Sequence, residues 1–319
     1  MKEANKLSFK RILVAATLGA TVLFTYNAVL LAKPLNGFEL QGATIPEDEV
    51  FKGGPPKDGI PSIDDPVFIK AEEIKRLDDS DYVLGITVNG VAKAYPLPIM
   101  NWHEIVNDRF GDLFVVVTFC PLCGSGVAFE SKIGGRELTF GVSGLLYNND
   151  VLLFDRQTES LWSQLKYSAV SGFYKTKQLK PVPMQHTTWL HWRKQYPDTL
   201  VLSFKTGFHR NYSRDPYEGY EDIERTHFPV KFRAKGLHPK ERVIGVTVND
   251  KAKAWPLVEL RKAGGIIRDK VGGQPVTVRF NKKHDSAIVV DKQDKALASV
   301  NLFWFAWAAF HPETALYRY

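Results

Sequence analysis

Residues 83–97 read VLGITVNGVAKAYPL, and residues 243–257 read VIGVTVNDKAKAWPL; ten of the fifteen positions are identical at an offset of 160. One inserted residue later the match continues, with EIVNDRFGDLFVVVTF (104–119) against GIIRDKVGGQPVTVRF (265–280). A third block, WRKQYPDT (192–199), faces WAAFHPET (307–314) at an offset of 115. The offset falls by 46, so the second copy is shorter by that many residues. The chain is an unequal internal duplication.

Each copy reads as β structure. In both, V-x-G-x-T-V and A-K-A-(Y/W)-P flank Asn89-Gly90 or Asn249-Asp250, the signature of a tight two-residue hairpin. Leu113–Phe119 (LFVVVTF) is apolar on both faces, as expected of a central strand covered on both sides. Further strands are expected at 126–131, 137–142, 151–155, 169–175 and 200–204. Thr187–Tyr196, stopped by Pro197, and Val300–Phe310 read as the helix that ends each copy. The expected fold is therefore mainly β (β-rich α+β): two tandem, unequal repeats of a small twisted sheet or open barrel, each ending in a short helix. Repeat 1 covers 80–206 and degenerate repeat 2 covers 241–319. The Pro/Gly-rich segment 33–79 reads as a lead-in, and the polar, aromatic segment 207–240 as a connection long enough to lie over a site.

The N-terminus points to a membrane. Residues 12–32 are 21 residues without a charge, roughly 31 Å as a helix, enough to cross a bilayer core. Lys2, Lys6, Lys10 and Arg11 precede them in a basic tail, 1–11, which the positive-inside tendency keeps cytoplasmic. The expectation is a single-pass signal-anchor, with a long cleavable signal peptide as the alternative; either way the bulk of the chain lies outside the cell membrane, in the periplasm. The tail also accounts for much of the net charge of +7. Beyond it stand 38 basic and 34 acidic residues with no basic stripe, which excludes a nucleic-acid binder. Two cysteines exclude a disulfide scaffold and a self-contained four-cysteine zinc site. The absence of G-x-S-x-G and H-E-x-x-H leaves a hydrolase without support.

The candidate chemistry sits in repeat 1. Cys120-Pro121-Leu122-Cys123-Gly124 follows the buried strand directly, a knuckle form whose turn aims N–H groups at sulfur. His103 and Glu104 are near enough in the pattern to complete a site. Repeat 2 has Asn281 and His284 at the cysteine positions and lacks the His-Glu pair. Three readings of the pair stand open. A Cys120, Cys123, His103 metal site suits Cu or Zn. A reactive thiol would use Cys120 as nucleophile or redox sulfur and His103 as its base. The third reading is a small disulfide or a buried pair without chemistry.

A second candidate is FGVSGLLYNNDVLLFDRQTESLWSQ (140–164), the block that repeat 2 lacks. Asn148-Asn149-Asp150 marks a turn. From Asp155 onward polar residues occupy both faces, which reads either as a solvated strand end or satisfied structural network or as a cleft wall with Asp155, Arg156, Trp162 and Gln164 as candidate ligand-binding residues. They support an alternative function as a non-catalytic ligand- or protein-binding module. Among the remaining histidines, His209 and His227 in the connection come next as candidates.

GGPPKDGIPSIDDP (53–66), NWHEIVND (101–108), TFCPLCGSG (118–126) and YNNDVLLFDRQTESLWSQL (147–165) together resemble a bacterial and archaeal family known as domain of unknown function thirty-one seventy-nine. The resemblance implies an exported or membrane-anchored protein and brings no reaction with it. It also implies that the second cysteine position is often Thr, which favours a role centred on Cys120.

Overall fold

The computed structural model describes residues 34–233 and 235–319. The expected cytoplasmic tail and signal-anchor lie outside the described residues. Among the described residues no helix is long and apolar enough to cross a membrane.

The molecule is mainly β, with five small sheets in a propeller-like ring and a two-stranded ribbon, Lys132–Ile133 with Arg136–Glu137. Both expected hairpins form. Tyr82–Val88 pairs with Val91–Pro96 across Asn89 (φ 49°) and Gly90 (φ 80°), and Arg242–Val248 pairs with Lys251–Pro256 across Asn249 (φ 48°) and Asp250 (φ 57°). Two successive left-handed residues are what a twisted two-residue hairpin requires, and Asn, Asp and Gly tolerate them.

A short helix follows each hairpin, α1 (Leu97–His103) and α3 (Leu257–Ala263), each starting behind a proline whose fixed φ suits the entry. Next comes a three-stranded meander: Ile105–Phe110, Leu113–Cys120 and Ser125–Glu130 in repeat 1, and Ile266–Val271, Gln274–Asn281 and Ser286–Val290 in repeat 2. The chain then returns to the hairpin. Met184–Thr188 joins Tyr82–Val88, helix α2 (Trp189–Gln195) turns the chain, and Leu200–Leu202 runs parallel to Val91–Pro96. Val300–Phe303, α4 (Trp304–Phe310) and Ala315–Leu316 do the same in repeat 2.

Two expectations need correction. Each repeat builds more than one sheet, because the meander leaves the hairpin sheet at the helix after Pro96 or Pro256: repeat 2 builds two, and repeat 1 builds the same two and a third from its extra block. Val300–Phe310 is not one helix: its first four residues are a strand, since an unbroken apolar run satisfies either period.

The residues shared by the copies hold this plan together. Trp192 lies against Gly85, where a Cβ would stand 2.3 Å from the indole; Trp307 meets Gly245 at the same 2.3 Å. Each indole N–H donates to the threonine seven residues on, Thr199 at 2.9 Å and Thr314 at 2.8 Å. Lys93 and Tyr95 bond Asp108, as Lys253 and Trp255 bond Asp269.

The block unique to repeat 1 forms a five-stranded sheet from Phe140–Tyr147, Asp150–Asp155, Leu161–Ser163 and Ser168–Ser171, with Val50–Lys52 on its edge. The lead-in is thus woven into the body: it supplies that strand and Phe68–Lys70, which pairs with Leu200–Leu202. The two repeats clasp each other reciprocally. Phe303 N–H donates to the Cys123 carbonyl at 2.8 Å, and at the corresponding place Thr188 Oγ1 meets His284 Nδ1 at 2.7 Å. One apolar core runs through the first contact, joining Cys120, Cys123, Val127 and Phe129 to Phe303, Trp304 and Phe305.

Candidate metal centre

Strand Leu113–Cys120 ends at the first thiol, and a tight turn returns the chain into Ser125–Glu130, with Cys123 N–H donating to Cys120 O at 3.2 Å. Gly124, at φ 60°, closes the turn against the Phe303 ring. Opposite stands the turn of the extra sheet, where Asn148 (φ 51°) and Asn149 (φ 67°) place Asp150 at the start of its strand. The Cys120 and Cys123 sulfurs and an Asp150 carboxylate oxygen all lie within 4.8 Å of one another, and all three residues are buried. Both cysteines are free.

The polar contacts around the group are specific. Asn149 O lies 3.7 Å from Cys120 Sγ and 3.3 Å from Cys123 Sγ, an acceptor for both thiols. Asn149 Nδ2 donates to Leu122 O and to Tyr220 Oη, each at 3.3 Å. Leu165 N–H donates to Asp150 Oδ2 at 3.1 Å, while buried Oδ1 has no partner.

Electrostatics keep this group protonated when it is alone. Burial pushes both thiols up, and the nearby Asp150 carboxyl adds to the effect. Burial also holds Asp150 well above the carboxylate range, against the backbone N–H groups of Leu165 and Val151. Glu104 is raised by burial to about 8, although a hydrogen bond from Tyr217 works against the shift. Buried acids without a counter-cation stay neutral, and a cation among them replaces their protons.

The sequence candidates separate in space. His103 does not join the thiols: its Nδ1 is 2.8 Å from Pro61 O and its Nε2 is 2.7 Å from Tyr212 Oη. Glu104, next in the chain, takes φ 57° as the left-handed cap of α1 and is the neighbour that acts on Cys120 and Asp150. Asp155 is fully buried and accepts from Thr158 N–H (2.7 Å), Thr158 Oγ1 (2.8 Å) and Trp162 Nε1 (2.9 Å). Arg156 grips Asp58 through two hydrogen bonds of 2.8 and 2.9 Å and donates to Ser62 Oγ, pinning the lead-in. Gln164 accepts from Ser125 Oγ (2.6 Å) and donates to Thr118 Oγ1 (2.8 Å), bracing the strands on either side of the cysteine turn. These four side chains are engaged within the fold.

The connection 207–240 lies over the site. Phe228 N–H donates to Asn149 Oδ1 at 3.0 Å and Lys231 N–H to Asn148 Oδ1 at 2.8 Å, so it clamps the turn before Asp150. His227 packs on the Tyr220 ring, 4.5 Å between centroids. His209 makes no contact with the group among those described. Asp150, Asn149, Tyr217 and Tyr220 are the site residues that sequence reading did not single out. The available signal was that Asn148-Asn149-Asp150 belongs to the block missing from the copy that lacks the cysteines.

Beside the cysteine turn opens a cleft of about 920 Å³, walled by both repeats and the connection, with Pro121, Gly124, Tyr217 and Tyr220 in its lining.

A family model for a protein of unknown function (DUF3179) matches residues 57–314. Neither a curated protein nor a solved structure matches the chain. The match takes in both repeats, the cysteine turn and Asp150, and the chain belongs to the DUF3179 family.

Proposed function

We propose that the chain is a membrane-anchored, extracytoplasmic metalloprotein whose centre is Cys120, Cys123 and Asp150. One observation carries this reading: a buried carboxylate with an unpartnered oxygen shares a 4.8 Å cluster with two free, buried thiols. An unsatisfied buried acceptor is costly, and a cation would satisfy it together with both sulfurs. Tetrahedral Zn–S bonds of ~2.3 Å put sulfurs roughly 3.8 Å apart, so small side-chain movements suffice to close the group on an ion. A carboxylate beside two thiolates suits Zn²⁺ better than Cu⁺, which prefers soft ligands alone. Three protein ligands leave the fourth position open, the arrangement of a catalytic or exchange site.

The nucleophilic thiol reading has less support. Burial raises both thiols, and His103 is engaged elsewhere. The uncharged run 12–32 supports the membrane anchor. Titrating the full chain with Co²⁺ under reductant tests the centre. Thiolate-to-cobalt charge-transfer absorption saturating at one ion per chain is expected, and absent from Asp150→Asn at the same cobalt concentration. No such band in the parent protein would refute the proposal.

A further inference from the structure

The cleft has a charge that opposes the body around it. Beyond residue 11 the chain carries 38 basic and 34 acidic residues, yet eight carboxylates and five cations line the cleft. Two of the cations are already paired, Arg242 with Glu221 and Arg261 with Asp285. Lys240 is held by the carbonyls of Ile223 and Arg225, Arg76 lies over the Phe204 ring, and the fifth, Arg214, is exposed and makes no ion pair among the described residues. Asp78, Glu218 and Asp222 are exposed and make no ion pair among the described residues.

Six aromatic residues also line it: Tyr82, Phe119, Phe204, Tyr212, Tyr217 and Tyr220. Two of these rings receive cations from the protein itself, with Lys240 Nζ 3.9 Å from the Tyr220 centroid and the Arg76 guanidinium 5.0 Å from that of Phe204. Behind Tyr82 and Phe119 lies His186, edge-on to both rings, 5% exposed, with neither ring nitrogen partnered.

We propose that this cleft binds an organic cation, a ligand carrying ammonium groups on an apolar stem. Aromatic faces attract the charge through their quadrupoles, and they cover the stem. Unpaired carboxylates in a walled cleft focus the field and raise the local cation concentration. A cleft of this volume has the size of a small-molecule site, not of a protein interface. The proposal goes beyond the metal centre and does not require it, although a ligand seated there would lie against Pro121 and Gly124 of the cysteine turn.

Calorimetric titration of the full chain with spermidine tests it, with succinate and maltotriose as anionic and neutral comparisons. One spermidine per chain is expected, bound more weakly as salt rises. Affinity should fall on the order of tenfold in the Asp78→Asn/Glu218→Gln/Asp222→Asn variant, whose exposed changes leave thermal unfolding in place. Cys120→Ser should bind spermidine as the parent does, which separates this proposal from the fate of the metal centre. No spermidine binding, equal binding of maltotriose or succinate, or an unchanged affinity in the triple variant would each overturn it.

Discussion

The backbone N–H of Phe303 donates to the carbonyl of Cys123 at 2.8 Å, so repeat 2 holds the thiol turn of repeat 1 across the seam between them. The Phe303 ring, 1% exposed, also backs Gly124 in that turn. The degenerate copy is in this sense a support for the copy that carries the cysteines. Phe303→Ala should cost ~3–5 kcal/mol of stability, measured by denaturant unfolding. Phe303→Leu should cost clearly less and retain the metal.

The two Gly–Trp contacts make the duplication testable at symmetric sites. Gly85→Ala and Gly245→Ala each drive a methyl into an indole 2.3 Å away, and each should destabilise by about 1–3 kcal/mol or more. Gly90→Ala meets open space and is penalised only by its φ of 80°, so its cost should stay near ~1 kcal/mol. Thermal unfolding of the three variants would show whether steric contact, and not glycine content, sets the order.

Glu104 gives a pH signature. Its carboxyl holds a proton up to about pH 8 in the folded protein but only to 4.5 in the unfolded chain. Between those values the folded state binds more protons, so metal-free stability falls as pH rises through the window and levels off above it. Glu104→Gln removes that slope and should be more stable than the parent at pH 8 by ~1–3 kcal/mol. Equal pH slopes for the two proteins would remove Glu104 as the source.

Metal uptake should run the opposite way. Cys120, Cys123 and Asp150 must all give up protons to bind an ion, and burial raises all three. Zn²⁺ affinity, measured by competition with a chromophoric chelator, should therefore rise with pH, with protons released on binding. Affinity independent of pH would mean that the thiols are not the ligands.

The parts of the fold that were legible in the sequence are those where local chemistry and packing agree. Asn89-Gly90 and Asn249-Asp250 announce hairpins because few residues accept their backbone angles. The recurring Gly, Trp, Lys and Asp are the contacts that lock each repeat. Helices α1 and α3 were hidden because seven residues behind a hairpin's last proline show too little periodicity to stand out.

The candidate site was legible in half. The cysteine turn announces itself at the end of a buried strand. His103 resembles a ligand only in sequence: as the last residue of α1 it bonds Pro61 and Tyr212, and the chain turns left-handed only after it, at Glu104. Asp150 comes from a different sheet, and the packing that brings its turn to the thiols leaves no local pattern. Asp155, with its run of polar neighbours, leaves a structural network and a cleft wall both open in the sequence, and the three donors from Thr158 and Trp162 make it a structural acceptor.

The most direct test of the metal centre is metal content per chain, measured on the full protein purified under reductant without chelator. Stoichiometric Zn is expected in the parent and in His103→Ala, with loss in Cys120→Ser and Asp150→Asn. No metal in the parent, or retention by both Cys120→Ser and Asp150→Asn, would contradict it.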